Sequence, residues 1–130
     1  MYLTKRDILS AADFKSEIVD VPEWGGSVFV REMTGTMRDA FESSLTVGVG
    51  KGSKVNTENI RARLVAMCLV DEHGDRLFDD DDIGQLGAKS ATALDRVFAV
   101  AQRLNAMGER DVEAIAKNSE AAQSGASISD

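Results

Sequence analysis

The spacing of apolar residues changes once along this chain, and that change constrains the fold more than any other feature. Two short runs rich in β-branched and aromatic residues, 18–21 and 28–30, are typical of paired strands. Beyond residue 34, apolar residues recur three and four positions apart, which is typical of amphipathic helices. We therefore predict an α+β fold, in which an N-terminal β-hairpin or small antiparallel sheet packs against several helices and the C-terminal half is helical.

The segment 22–26, Pro-Glu-Trp-Gly-Gly, separates the two strand-like runs. Proline presets its own φ angle and glycine accepts positive φ angles, so this segment predicts the turn of a β-hairpin, with both glycines at positive φ. Trp24 places a large amphipathic ring in the turn. The ring either covers one end of the core or projects outward as a partner-binding residue.

Capping residues predict where each helix begins. Thr4 and Asp7 have the spacing of a capping box and predict a helix over 5–12. Two further helices follow the hairpin. The first is capped by Thr34 or Thr36 and reaches about Leu45. The second is capped by Asn56 or Thr57, ends near Val70 and carries one apolar stripe of Ile60, Leu64, Met67 and Cys68. The acidic run 79–82 starts a short helix through Leu86, and Ser90 caps the longest helix, whose core stripe is Leu94, Val97, Phe98, Ala101 and Leu104.

Other segments predict loops, a strand and a tail. Three glycines in 46–54 predict a mobile loop, 71–74 is a turn in which Gly74 takes a left-handed conformation, and 76–78 is a short strand. A last helix over 110–122 carries a narrow stripe of Val112, Ile115 and Ala116. We therefore expect one domain over 1–122, followed by a flexible tail over 123–130.

The net charge of −7 is concentrated in one segment. Residues 71–82 include seven acidic residues and one arginine, whereas the rest of the chain has 15 acidic and 14 basic residues. Because nucleic-acid binding needs clustered cations, this balance predicts no nucleic-acid partner. The acidic segment is either a solvated helix start or a docking site for a cationic stretch of a partner.

Motifs for catalysis and ligand binding are incomplete. Gly52 follows Lys51, where a phosphate-binding loop needs the hydroxyl of Ser or Thr. Ser53 occupies a position where a dinucleotide-binding motif needs glycine. The segment 71–90 can be aligned with a calcium-binding loop starting at Asp71 or at Asp79, but both alignments place unsuitable residues at required positions. We expect His73 to be an exposed turn residue and Cys68 a core residue, and we predict no enzyme activity, no cofactor and no metal site.

The N-terminal segment has no apolar run of the kind that a signal peptide needs, and no stretch of the chain is apolar for long enough to span a membrane. A single cysteine excludes an intrachain disulfide. We therefore expect a soluble protein in a reducing, cytoplasmic compartment, without a membrane partner.

A series of short motifs runs through residues 3–120. In order they are VPEWGG at 21–26 leading into VFVR at 28–31, Thr34-Gly35, Arg38-Asp39, Phe41-Glu42, the run 61–70, DEHG at 71–74, Leu77-Phe78, an Asp-Ile-x-x-Leu run ending at Leu86, Leu104-Asn105, DVE at 111–113 and KNSE at 117–120. This order resembles the tail assembly chaperones of long-tailed phages, the family of the G-type proteins of lambda-like and HK97-like siphophages.

The resemblance implies an α+β fold without catalytic residues. It also implies binding to the tape measure protein, the long helical chain that fixes tail length, which the chaperone keeps soluble while tail tube protein is recruited. Such a late phage or prophage protein acts in the host cytoplasm and is absent from the mature virion, and a homo-oligomer is left open. The candidate partner-binding residues are Trp24, Val112, Ile115 and Ala116.

The resemblance further implies a longer form of the protein, because many family members use a programmed −1 frameshift to add a domain that recruits tube protein. Ala116, Lys117 and Asn118 are compatible with a slippery A-AAA-AAC heptamer in the gene. The alternative functions are a head–tail connector or tail terminator, then a small hydrolase, and last a bacterial transcriptional partner or antitoxin.

Overall fold

The computed structural model describes residues 1–47 and 54–107. The elements are, in chain order, α1 (Lys5–Ser10), β1 (Ser16–Val21), β2 (Gly26–Arg31), α2 (Gly35–Ser44), β3 (Thr46–Val47), β4 (Lys54–Val55), α3 (Ile60–Cys68), β5 (Leu69–Val70), α4 (Ile83–Gly87) and α5 (Ala91–Leu104). The predicted α+β fold is confirmed, because a small antiparallel sheet packs against helices that dominate the second half. The predicted last helix over 110–122 and the tail over 123–130 lie outside the described residues.

Strands β1 and β2 form the predicted hairpin, with one short 3₁₀ turn, Pro22–Trp24, between them. Gly25 closes this turn with a φ of 76°, in the left-handed region. The expectation of a positive φ is wrong for Gly26, which already belongs to β2 and pairs with Val21. A single glycine is therefore enough to reverse the chain here.

The three-stranded sheet has the order β1-β2-β5, and both strand pairs are antiparallel. Because side chains alternate along a strand, each strand divides its residues between two faces. The core face holds the fully buried residues Val21, Val30 and Leu69. The outer face holds one row of registered neighbours, Ile18, Phe29 and Val70.

The predicted helix caps are formed at three helices. At α1 the Thr4 hydroxyl accepts from the Asp7 N–H at 3.2 Å, and the Asp7 carboxylate accepts from the Thr4 N–H at 2.9 Å. Thr34 caps α2 and Ser90 caps α5 through their hydroxyls. Helix α1 ends at Ser10, two residues earlier than predicted.

Helix α3 differs most from its prediction. Every residue from Ala62 to Cys68 is buried, so the helix is covered all round rather than along one stripe. It begins after Asn59, which serves as N-cap with a φ of 53°, and not after residue 56 or 57. It ends at Cys68 instead of Val70, because the next two residues pair with β2 as strand β5.

The glycine-rich segment is bounded by paired strands. Thr46–Val47 and Lys54–Val55 form a small antiparallel hairpin, so the prediction of a loop over 46–54 is wrong at both ends. Residues 48–53 lie outside the described residues.

The buried guanidinium of Arg63 donates to the carbonyls of Ser44 and Asn56 beside this hairpin. Burial lowers the pKa of Arg63 from its ordinary value, because it penalises the charged form.

The acidic segment forms the predicted turn, with Gly74 at a φ of 87°. The short strand predicted at 76–78 is wrong, since only Arg76 bridges to Val70. Phe78 then packs against the core, and Asp79 begins the next helical turn one residue later. The helical turn that begins at Asp79 therefore ends the extended backbone at Phe78.

We predict that Gly25→Ala lowers the free energy of unfolding by about 1–2 kcal/mol, because an L-residue is strained at a φ of 76°. Space does not limit this site, since a Cβ on Gly25 would meet nothing within 4 Å. Gly26→Ala is the matched control, because a Cβ there is equally free of neighbours. Urea denaturation of both variants checks the prediction, and equal stability of the two would contradict it.

Candidate functional site

Trp24 lies at the end of the 3₁₀ turn between β1 and β2, and its ring is half-buried against the core. The indole Nε1 is buried and has no hydrogen-bond acceptor among the described residues. Buried Trp N–H groups usually have a partner. The ring therefore packs against one end of the core with part of its surface and leaves the rest accessible, while its buried polar atom is unsatisfied.

A groove of about 520 Å³ opens beside this ring. We call it the Trp24 groove, and its lining residues are Glu23, Trp24, Val28, Leu69, Leu77, Phe78, Gln85, Leu86 and Lys89. The apolar members come from the sheet, from the segment after the acidic turn and from α4. Three polar side chains complete the lining, so the groove combines an apolar surface with a small number of hydrogen-bonding groups, as binding grooves generally do.

An ion pair links the turn that carries Trp24 to α5. The Arg96 Nε of α5 donates to Glu23 at 2.9 Å and 3.2 Å from its two carboxylate oxygens. This hydrogen bond is the main reason that the pKa of Glu23 is lowered and that of Arg96 is raised. The pair joins the hairpin turn to α5 at one side of the Trp24 groove, where Glu23 is a lining residue.

Carboxylates of the acidic segment accept hydrogen bonds from the backbone N–H groups of the same segment. The Asp71 carboxylate accepts from the N–H groups of His73 and Asp75, and the hydrogen bond from Asp75 is the largest cause of its lowered pKa. Asp79 and Asp82 form a reciprocal capping box, which confirms the predicted helix start. Within the described ranges, no three His, Cys, Asp or Glu side chains are grouped to hold a metal ion.

His73 and Cys68 occupy the places predicted for them. His73 is exposed in the turn, with its Nε2 3.7 Å from a carboxylate oxygen of Glu72. Cys68 is fully buried, and burial raises the pKa of its thiol to about 12. Neither residue is placed as a nucleophile or a base.

Of the candidate partner-binding residues, Trp24 alone falls in the described part of the chain. Val112, Ile115 and Ala116, together with Lys117 and Asn118 of the possible frameshift site, lie outside it. The sequence reasoning missed Leu77 and Phe78 as groove residues, because it treated them as strand. The signal was present, since two large apolar residues stand directly between acidic runs.

No helix among the described residues is long and apolar enough to cross a membrane. The sequence profile of the family described as "Phage tail assembly chaperone" matches residues 4–123. The chain belongs to this family. As a family of chaperones it is non-enzymatic and has tail proteins as partners, which decides against the connector, terminator and hydrolase alternatives.

A solved structure agrees with this assignment of the chaperone. The chain is similar to the tail assembly chaperone of bacteriophage HK97, with a TM-score of 0.54 and 21% sequence identity. The match covers 76% of this chain and 90% of the HK97 protein, and it shows a shared fold. Comparison with curated protein sequences finds no match.

We predict that the Cys68 thiol of the folded chaperone resists alkylation near neutral pH, because a pKa of about 12 leaves almost no thiolate and burial excludes the reagent. Iodoacetamide labelling followed by mass spectrometry should show modification only after denaturation. Leu9→Cys is the matched control, since Leu9 is exposed and a cysteine there should react in the folded protein. Rapid labelling of Cys68 without denaturant would contradict the burial.

Proposed function

We propose that this chaperone binds the tape measure protein, keeps it soluble and helps to recruit tail tube protein during tail assembly. Its site of action is the host cytoplasm, and it is absent from the finished virion. The observation that carries the proposal is the Trp24 groove, an open apolar surface on a member of a chaperone family. Binding of this kind needs no catalytic group.

The shape and lining of the groove suit one face of an amphipathic helix. Such helices bind through apolar side chains at positions i, i+3, i+4 and i+7, which enter an apolar groove while polar residues stay at its rim. Trp24 and Phe78 provide the aromatic surface, and Leu77 is exposed at the edge, 49% accessible.

The acidic segment places negative charge along one side of the groove. Leu77 and Phe78 belong to the acidic segment 71–82, so the apolar surface lies beside a concentration of carboxylates. A client helix with cationic residues flanking its apolar stripe is attracted to this side. The predicted stripe of Val112, Ile115 and Ala116 is proposed as a second contact within the expected domain 1–122.

Trp24→Ala should weaken binding of the tape measure protein roughly tenfold or more, because aromatic anchors in interface pockets carry much of the binding free energy. Co-expression followed by measurement of soluble tape measure protein and by pull-down checks this. Leu77→Ser tests the same groove with an exposed residue, so that a folding defect of the Trp24 variant does not decide the result.

His73→Ala is the matched control, since His73 is exposed in the same acidic segment but does not line the groove. It should leave client binding unchanged. Full client binding by both groove variants would refute the proposed site.

We also propose a frameshift-extended form that binds tube protein. If Ala116-Lys117-Asn118 is encoded by a slippery heptamer, synonymous codons there should abolish a longer product and leave the 130-residue protein unchanged. Immunoblotting with an antibody to the shared N-terminal part measures both products. Synonymous changes at Arg61 and Ala62 are the control, and a longer product that survives the changes at 116–118 would contradict this site.

A further inference from the structure

Helix α4 forms one wall of the Trp24 groove, and the two ends of this wall carry opposite charge. Gln85 and Leu86 line the groove from α4, and Lys89 lines it just beyond the end of the helix. The acidic segment 71–82 ends directly before the helix begins, with four consecutive aspartates at 79–82. The wall is therefore bordered by carboxylates at its start and by an ammonium group at its end.

The two charged ends are about two helical turns apart. Lys89 follows Asp82 by seven residues, which at a rise of about 1.5 Å per residue corresponds to roughly 10 Å. The buried Leu86 lines the groove between them, so the surface that separates the two charges is apolar. A partner helix that places its apolar stripe on this surface therefore has one flanking side chain near each charged end, about seven positions apart.

Both ends of the wall have charge that a partner can use. Glu23, the other charged residue of the groove lining, already pairs with Arg96. Lys89 is exposed, and the ion pairs among the described residues do not include it. At the acidic end, Arg76 is the single cation of the segment 71–82, against seven acidic residues. The groove thus presents an unbalanced negative charge at one end and an unpaired positive charge at the other.

We propose that the Trp24 groove selects client helices that carry two opposite charges about two turns apart, an inference that rests on the proposed binding of an amphipathic helix. The cation of the client faces the acidic segment, and its carboxylate pairs with Lys89. A helix with cations at both positions is attracted at one end and repelled at the other, so Lys89 determines specificity through repulsion as well as attraction.

Designed helical peptides test this selection. Each peptide carries leucines at positions i, i+3, i+4 and i+7, and the peptides differ only in two flanking residues seven positions apart, which are Arg and Glu, Arg and Arg, or Glu and Glu. In fluorescence anisotropy with labelled peptides, the Arg/Glu peptide should bind roughly three- to fivefold more tightly than either other peptide, as expected for an exposed ion pair. Net charge alone predicts otherwise, since a chain of charge −7 favours the Arg/Arg peptide.

Lys89→Glu assigns the selection to one residue. This variant should bind the Arg/Arg peptide most tightly, because both ends of the wall are then acidic. Lys5→Glu is the matched control, since Lys5 is also exposed, undergoes the same change of charge and does not line the groove. It should keep the preference for the Arg/Glu peptide. An unmodified chain that favours the Arg/Arg peptide, or a Lys89 variant with an unchanged preference, would overturn the proposal.

Leu77→Ser distinguishes failure of this inference from failure of the proposed function. It should weaken binding of all three peptides, because Leu77 is an exposed apolar residue of the groove. If the unmodified chain binds the three peptides equally and Leu77→Ser weakens them all, the charge selection is wrong and the groove remains a helix site. If no peptide binds, or if binding ignores Leu77→Ser, the groove itself is refuted and the charge selection with it. Circular dichroism should show that the variants are folded, since the replaced side chains are exposed.

Discussion

The burial of helix α3 is the constraint on which the rest of the structure depends. A helix covered all round needs neighbours on every side, and α5, α4 and α2 provide them. The chain passes from Cys68 into β5 without an intervening loop, so the position of α3 also sets where the third strand pairs with β2. Helices and sheet are therefore parts of one core, and neither layer could be moved without opening the other.

Two polar side chains connect this helix to distant parts of the chain. The buried Asn105 amide accepts from the Met33 N–H at 2.8 Å, donates to the Ala101 carbonyl at 2.7 Å and lies 3.4 Å from the Cys68 sulfur. Arg63 holds the base of the small hairpin through backbone carbonyls. Since a buried polar group left unpaired costs about 1–3 kcal/mol, these contacts favour a single arrangement of the elements.

Local signals in the sequence predicted local structure well. The capping box at Thr4 and the caps at Thr34 and Ser90 involve residues only three positions apart, so they can be read from the chain. The end of α3 could not, because Leu69 and Val70 continue an apolar run and become strand only by pairing with β2, some 40 residues earlier. The Trp24 groove escaped prediction for the same reason, since its walls come from segments far apart in sequence.

The sheet separates the Trp24 groove from an outer face that carries the exposed residues Ile18 and Phe29. Val28 and Leu69 line the Trp24 groove, while their immediate neighbours Phe29 and Val70 belong to the outer face. Because side chains alternate along a strand, a register shift of one residue would exchange the two surfaces. The hairpin turn at Gly25 fixes that register. A side chain on the core face of β2 or β5 can therefore contribute to the groove, whereas the residues directly before and after it in the same strand cannot.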